Sequence, residues 1–394
     1  MNAEAERNRC RTNPDASLGE GEIAAVRAQY PIVDKCVFWD CAAVSPISRS
    51  VSEAMARQTG LHCADIRDAV SAAIPVQQMG RDLAAKLVGS RPDRVAYVQN
   101  TSHGMSLVAL GLDWQAGDNV VVAELEFPSN YLIWESLAAK GVEVRKLKAR
   151  NGALLAEDLR ALTDSRTRVV AVSQVQFYSG FRVDLAAFAD VCSHHDALLV
   201  VDGTQSVGVL DLDMVRDGAD VVVVSAHKWM LGPLGIGFMA FSERAFERVR
   251  PRVVGWLSVN EPFSFHRKLD FLPDARRFEP GTENAAGIFG LSKRLEEIQA
   301  TGAKRIEGYV LSLGEQIRQE ARRIGFEIVS DWPQGSLSGI VLLRSRKVQT
   351  DVLFDRLCEA SVRCSVRNDA IRFSPHYFSD TNEVAQVLDV LRSV

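Results

Sequence analysis

Five short apolar runs between residues 120 and 241 constrain the fold of this chain more than any other feature. They occupy residues 120–123, 169–175, 197–202, 221–224 and 235–241. Uninterrupted β-branched runs of this length are typical of strands that are buried on both faces of a parallel sheet. Stretches with helical spacing, such as residues 185–193, lie between them. The alternation predicts an α/β fold with a mainly parallel sheet flanked by helices.

The pattern changes after residue 290. Amphipathic stretches at 291–300, 306–324, 353–360 and 382–391 predict helices, and 326–329 and 340–343 predict short strands. We therefore expect a large domain over 46–290 and a smaller α+β C-terminal domain over 305–394. Residues 1–45 are expected to form an N-terminal segment that packs on the small domain.

Composition excludes several classes of protein. The net charge of −4 argues against a nucleic-acid-binding protein, which is usually basic. The seven cysteines form no C-x-x-C pair, which argues against a zinc ribbon or another metal site and favours a reducing compartment. A polar N-terminus and the lack of an 18-residue apolar run predict neither a signal peptide nor a membrane span. We expect a cytoplasmic protein.

Lys228 lies just beyond the apolar run at 221–224, in the string VVVVSAHKWMLGP. Open α/β sheets bind their ligands at the ends of their strands. Partial desolvation there lowers the pKa of a lysine amine and makes it nucleophilic. Such an amine can form a Schiff base with a carbonyl cofactor. On this string alone, a surface lysine at a strand end is an equally good interpretation.

Asp202 ends another apolar run, 26 residues before Lys228, in the string LVVDGTQSVG. A buried carboxylate needs a partner, because an unpaired buried charge is costly. A protonated pyridine nitrogen is such a partner, and the pairing keeps the ring an electron sink. Gln205 follows on the next turn and could donate to a ring hydroxyl. The alternative is that Asp202 caps a helix or a turn.

Together, DGTQSVG at 202–208 and SAHKW at 225–229 resemble the class V aminotransferase family of pyridoxal-phosphate enzymes. This family includes cysteine desulfurases, C–S lyases and isopenicillin N epimerase-like proteins. The resemblance extends from about residue 37 to residue 387. It implies a fold type I enzyme with pyridoxal 5'-phosphate as cofactor, Lys228 as the catalytic Schiff-base lysine, and an α-amino acid as small-molecule substrate.

The resemblance also implies how the cofactor is held. Thr101 and Ser102, in the string YVQNTSHGMS, match a phosphate site at a helix N-terminus, although His103 replaces the expected glutamate. Phe127 matches the residue that stacks on the pyridine ring, which is a histidine in desulfurases. The other implied cofactor contacts are Asp202, Gln205, Ser225 and His227. Gln176 could replace an asparagine that desulfurases have near Phe177.

The substrate and the subunit interface are implied in the same way. Arg372 in AIRFSPHY matches the arginine that grips a substrate α-carboxylate, and the guanidinium fork suits that contact. Ala43 lies in FWDCAAVS, which resembles a segment that touches substrate. Thr282 in RFEPGTEN matches a residue that reaches the partner's phosphate, which implies an obligate homodimer with active sites at the interface. Arg363 and Arg367 are expected on a solvated face.

The family chemistry proceeds through an external aldimine and a Cα carbanion, with Lys228 as the base. We favour a C–S (Cβ–X) lyase of desulfurase-like type; an amino-acid epimerase and an aminotransferase remain alternatives. Cys364 lies eight residues before Arg372 but lacks the longer loop of persulfide-forming desulfurases. Cys41 is interpreted as a small core residue. A regulatory protein without cofactor is disfavoured by the intact Asp202 and Lys228.

Overall fold

The computed structural model describes residues 17–393, so the first 16 residues of the expected N-terminal segment, with Cys10, lie outside it. The helices are α1 (Glu20–Arg27), α2 (Arg49–Ala64), α3 (Ile66–Leu87), α4 (Thr101–Gly111), α5 (Leu132–Glu135), α6 (Ala156–Leu162), α7 (Leu185–His194), α8 (Glu243–Arg248), α9 (Ala285–Thr301), α10 (Ala303–Arg323), α11 (Thr350–Glu359) and α12 (Thr381–Arg392). The strands are β1 (Val37–Phe38), β2 (Val95–Val98), β3 (Asn119–Ala123), β4 (Glu143–Leu147), β5 (Thr167–Ser173), β6 (Leu198–Asp202), β7 (Val221–Ser225), β8 (Gly237–Phe241), β9 (Glu327–Ile328), β10 (Val341–Arg344), β11 (Val362–Arg363), β12 (Ser365–Arg367) and β13 (Ala370–Phe373).

A seven-stranded sheet in the order β2-β8-β7-β6-β5-β3-β4 forms the centre of the large part of the molecule. The strands from β7 to β4 are parallel, and β8 runs antiparallel to both of its neighbours. All five predicted apolar runs are strands of this sheet. The expected mainly parallel α/β fold is confirmed.

Helices cover the sheet on both faces, which explains why its strands are apolar throughout. Side chains alternate between the faces of a strand, so Val221 and Val223 pack in one core and Val222 and Val224 in the other. The first core includes Met105 of α4. The second includes residues of α7 and α9. Helices α2 and α3, which the sequence analysis left unassigned, pack against α9.

The C-terminal part is built on an antiparallel sheet in the order β12-β13-β10-β9, packed against α10, α11 and α12. The described part of the N-terminal segment contacts it. Strand β1 pairs in parallel with β11, and the Trp39 indole donates to Glu383 Oε2 at 2.9 Å. Arg27 donates to the carbonyl of Phe378 at 2.7 Å and to Glu383 Oε1 at 2.6 Å. The domain limits drawn from the sequence stay predictions.

One edge of the central sheet collects polar residues. Strands β5, β6 and β7 end there in Ser173, Asp202 and Ser225, and Ser173 pairs directly with Asp202. Strand β2 runs in the same direction as β7, because β8 is antiparallel to both. The helix that follows β2, α4, therefore begins at the same edge. Between residues 17 and 393, no helix combines the length and apolarity needed to cross a bilayer.

Candidate active site

A cavity of about 380 Å³ opens at this edge of the sheet. It lies between the ends of β6 and β7, the start of α4 and the hairpin of β12 and β13. Its lining includes every site residue predicted from the sequence except Thr282: Ala43, Thr101, Ser102, Phe127, Asp202, Gln205, Ser225, His227, Lys228 and Arg372. Thr282 is exposed. Residues 17–393 contain no cluster of side chains suited to bind a metal ion.

Lys228 is mostly buried in the cavity wall. Its ammonium lies 4.9 Å from the centroid of the Phe127 ring, and no residue of the described chain forms a hydrogen bond or an ion pair with it. Burial lowers the pKa of the Lys228 amine, and the nearby Asp202 carboxyl opposes that shift. The charge of Arg372 lowers the pKa further. These influences favour the neutral, nucleophilic form of the amine.

Asp202 is buried at the end of β6. Its Oδ1 accepts a hydrogen bond from the backbone N–H of Thr204 at 2.9 Å. Burial raises the pKa of the carboxyl, while the Thr204 hydrogen bonds and the Lys228 charge lower it. A carboxylate can accept about four hydrogen bonds. Asp202 therefore has acceptor capacity left for a protonated nitrogen in the cavity.

Three hydroxyl groups meet where α4 begins. Thr101 Oγ1 lies 2.7 Å from Thr204 Oγ1 and 2.8 Å from Ser225 Oγ, and the backbone N–H of Thr101 donates to Ser225 Oγ at 2.8 Å. Ser102 lies beside them and donates to Ser129 Oγ at 2.8 Å. Hydroxyls at a helix N-terminus form a favourable site for a phosphate group.

His103 is the third residue of α4 and does not line the cavity. Asn100 caps this helix by accepting from the backbone N–H of His103 at 3.0 Å. The His103 ring nitrogen Nδ1 accepts from the backbone N–H of Gln99 at 3.3 Å. Burial lowers the pKa of this imidazole, and its hydrogen bonds make it part of the capping structure.

Phe127 presents its ring to the cavity and is 42% exposed. The ring of Phe177 meets it edge to face, with centroids 5.4 Å apart. This contact orients the Phe127 ring at the border of the cavity. The residue is therefore placed to stack on a planar ligand that also reaches Lys228.

Glu126, which the sequence analysis did not single out, is buried behind the cavity. Its Oε1 accepts from the backbone N–H of Ser173 at 2.6 Å and from Gln176 Nε2 at 2.9 Å. Burial raises the pKa of this carboxyl to about 7. The Gln176 amide is thus bound to Glu126, and Ser173 lines the cavity instead. Gln176 therefore does not replace the missing asparagine.

Gln205 and His227 attach the N-terminal segment to the sheet edge. Gln205 Nε2 donates to the carbonyl of Ala42 at 3.0 Å, and its Oε1 accepts from the Trp229 indole at 2.8 Å. The His227 carbonyl accepts from the backbone N–H of Ser45 at 2.8 Å. These contacts hold residues 42–45 against the cavity and place Ala43 in its wall. The Gln205 amide is therefore mainly a structural link.

Arg372 is 1% exposed and held in place by its neighbours. Its Nε donates to Ser365 Oγ at 3.0 Å, and its Nη2 lies 3.4 Å from Asp40 Oδ1. Burial lowers the pKa of the guanidinium to about 10. The charge of Arg367 lowers this pKa as well, and the Asp40 carboxylate opposes the shift. Arg372 therefore presents an incompletely neutralised charge to the cavity, which suits a carboxylate ligand.

Arg367 also lines the cavity, so the expectation that it lies on a solvated face is wrong. The same expectation is correct for Arg363, which is exposed. Side chains alternate along a strand, so Arg367 and Ser365 share one face of β12. That alternation indicates that Arg367 lies on the same face as Ser365, but not that this face borders the cavity. Asp40 was missed, although it lies in the quoted FWDCAAVS string.

None of the cysteines in the described chain lines the cavity. Cys364 packs in the core of the C-terminal part, where burial raises the pKa of its thiol. Cys41 is fully buried, as expected for a small core residue. Residues 17–393 therefore offer no exposed thiol beside Lys228 that could accept a sulfur atom.

Comparisons with known proteins agree with this geometry. The family model described as aminotransferase class-V matches residues 37–363. A probable cysteine desulfurase of Methanothermobacter thermautotrophicus is 28% identical and covers 94% of this chain and 97% of its own length. The apo structure of a cysteine desulfurase from Thermococcus onnurineus NA1 superimposes with a TM-score of 0.85, at 23% identity, over 94% of this chain and 97% of that one. The structure of the cystine C–S lyase C-DES in complex with its reaction product cysteine persulfide also superimposes with a TM-score of 0.85. It is 22% identical, and the match covers 92% of this chain and 99% of that one.

Proposed function

Because the chain belongs to the class V aminotransferase family of pyridoxal-phosphate enzymes, we propose that it is a C–S lyase acting on an S-substituted cysteine. The observation that carries this proposal is the convergence of Lys228, Asp202 and Arg372 on one cavity that no described cysteine lines. The related probable cysteine desulfurase, and the fold shared with a cystine C–S lyase, support chemistry at a sulfur bound to Cβ.

The residues present fit the cofactor. Thr101, Ser102 and Ser225 would hold its phosphate, Phe127 would cover its ring, and Asp202 would hold the proton of its ring nitrogen. Lys228 supplies the amine that binds its aldehyde. When bound, pyridoxal phosphate supplies an aldehyde that captures amines and a ring that withdraws electrons from Cα.

The chain's own residues then divide the work on the substrate. Arg372 binds the α-carboxylate through its guanidinium and fixes the amino acid in the cavity. Lys228 Nζ accepts the proton from Cα, a role that the burial-lowered pKa of its amine favours. The Cβ–S bond breaks with its electron pair on sulfur, which takes up a proton and leaves as a thiol. The three-carbon enamine that remains is hydrolysed to pyruvate and ammonia.

Proton NMR in D₂O tests the reaction class. The enzyme is incubated with cystine and a set of cysteine conjugates, without added keto acid. We expect loss of the side-chain signals with stoichiometric appearance of pyruvate. Exchange at Cα with an intact side chain would contradict the lyase and identify an epimerase or an aminotransferase awaiting its acceptor.

We also propose a homodimer in which Thr282 completes the phosphate site of the partner. Thr282 is exposed and does not line the cavity of its own chain. The segment that precedes it exposes large apolar side chains, with Phe263 73% and Phe265 80% exposed. Such surfaces are typical of interfaces.

The six described cysteines are unpaired, which supports a reducing, cytoplasmic location.

A further inference from the structure

Arg367 and Arg372 lie on the same face of one hairpin. Strands β12 and β13 pair Ser365 with Arg372 and Arg367 with Ala370. Arg367 is therefore the diagonal neighbour of Arg372, at a spacing of about 7–8 Å that long side chains can bridge. Both arginines line the cavity that contains Lys228.

The tip of this hairpin is held firmly. Asn368 and Asp369 both have a φ of 51°, the left-handed backbone that a two-residue hairpin turn requires. Arg344 donates to the carbonyl of Asn368 at 2.8 Å and to that of Asp369 at 3.0 Å. Thr350 Oγ1 donates to the Asp369 carbonyl at 3.0 Å. The backbone of Arg367 is thus fixed at the cavity.

The charge of Arg367 is only partly balanced in the described chain, because the nearby Asp40 carboxylate, whose pKa it lowers, is paired with Arg372. Arg367 Nη1 donates to the carbonyl of Val366 at 2.6 Å, and no carboxylate among residues 17–393 forms an ion pair with it. Arg372 has Asp40 beside it, and Asp202 is assigned to the ring nitrogen. Two neighbouring arginines repel each other, an arrangement that a bound anion relieves. When the substrate α-carboxylate binds Arg372, Arg367 still has no ion-pair partner of its own among residues 17–393.

We propose that Arg367 binds an anionic group on the substrate side chain, so that the substrate is an S-substituted cysteine whose substituent carries a carboxylate or an oxyacid. This inference rests on the proposed function and adds the class of leaving group. Arg372 holds one end of the amino acid, and Arg367 holds the charged end of the group that departs with sulfur. Arg367 thereby determines specificity.

The test compares S-carboxymethyl-L-cysteine with its neutral isostere, S-carbamoylmethyl-L-cysteine, on the holoenzyme. We expect wild-type kcat/KM to favour the acid by about 10- to 100-fold, as for a charge-assisted contact. Arg367→Gln should reduce this ratio to near one, and Arg367→Lys should restore part of it. Arg363→Gln, the same change at the exposed arginine of β11, should keep the wild-type ratio.

Two results would overturn the proposal. One is a wild-type enzyme without preference for the acid. The other is an Arg367→Gln variant that loses the same factor with both compounds, which would mean that both arginines bind the α-carboxylate.

Calorimetry separates recognition from catalysis. It gives the Kd of each compound for the Lys228→Ala holoenzyme and for the double variant that also carries Arg367→Gln. Tighter binding of the acid that depends on Arg367, without turnover of either compound by wild type, would support the anionic subsite and contradict the lyase. Equal Kd values of the acid for the Lys228→Ala enzyme and for the double variant with Arg367→Gln would contradict the subsite.

Discussion

Lys228 is subject to opposing influences that set its chemistry. Burial and two arginines favour the neutral amine, and only the Asp202 carboxyl favours the ammonium. Because the described chain gives the amine no hydrogen-bond partner, a covalent bond to an aldehyde breaks no hydrogen bond within the described chain. The residue is therefore suited to capture a carbonyl group and afterwards to accept a proton.

Replacing Lys228 with alanine should reduce turnover by at least about 100-fold, because a general base contributes about that much or more. The cofactor should become removable by dialysis, because its aldehyde has lost the amine that binds it. Absorbance spectra before and after dialysis measure this. Exposed Lys347→Ala serves as the control and should behave like wild type. Retention of the lysine-bound cofactor spectrum in Lys228→Ala would disprove the role of Lys228.

Glu126 predicts a pH dependence of stability. Its folded pKa of about 7 lies above the ordinary value of 4.5, so the folded state binds more protons than the unfolded state between these values. The stabilisation from this proton is complete below about pH 4.5 and is lost as the pH rises through 7. The linked free energy is on the order of 3 kcal/mol.

Urea unfolding between pH 5 and 8 measures this effect. Wild type should lose stability relative to Glu126→Gln as the pH rises. Gln319→Glu, at an exposed site on α10, provides a control for the addition of a titratable carboxyl at the surface. Parallel pH profiles for wild type and Glu126→Gln would show that Glu126 is ionised in the folded state throughout this range.

Among the elements, α4 depends most on close packing. Gly104 faces β7, and a Cβ at this position would lie 2.4 Å from Cγ1 of Val223, a buried β-branched side chain that cannot move aside. The helix can therefore approach the sheet only with glycine here. That approach brings Thr101 within hydrogen-bonding distance of Ser225.

Gly104→Ala should destabilise the protein by about 1–3 kcal/mol, the usual effect of overpacking. It should also weaken cofactor binding, because α4 and its phosphate site move away from Ser225. Gly308→Ala on α10 is the matched control: its new methyl group meets no atom within 4 Å, so it should stabilise the helix slightly. Unfolding curves and cofactor titration measure both effects. An unaltered cofactor affinity in Gly104→Ala would show that α4 does not position the phosphate.

At the scale of the whole molecule, the proposed dimer makes each active site depend on two chains. Thr282→Asp should inactivate the enzyme by placing a negative charge beside the partner's phosphate. A heterodimer can be formed from one Thr282→Asp chain and one Lys228→Ala chain. One of its two active sites then combines the intact Lys228 of the first chain with the intact Thr282 of the second. The purified heterodimer should therefore recover up to about half of wild-type activity, because one of its two sites is intact.

Co-expression of the two variants with different affinity tags measures this recovery in the purified heterodimer. Co-expressed Lys228→Ala and Lys228→Met form no intact site and should stay inactive. A fully active Thr282→Asp variant, or a heterodimer without recovery, would refute a shared site.

The sequence by itself determined the central sheet. A strand that is buried on both faces must be apolar throughout, and this pattern can be recognised within a few consecutive residues. It also placed Asp202 and Lys228 together, since neighbouring parallel strands end at one edge. The family indicated by these motifs is confirmed. All predicted site residues except Thr282 line one cavity.

Only the tertiary structure decided which side chains from distant parts of the chain share that cavity. Arg367 comes within reach of Lys228, 139 positions earlier in the chain, because the β12–β13 hairpin packs over the sheet edge. Gln205 donates to the carbonyl of Ala42 and Gln176 donates to Glu126, partners that lie far from them in the chain. Strand periodicity follows from local backbone geometry, whereas these partners depend on how separately formed elements pack, which no local pattern encodes.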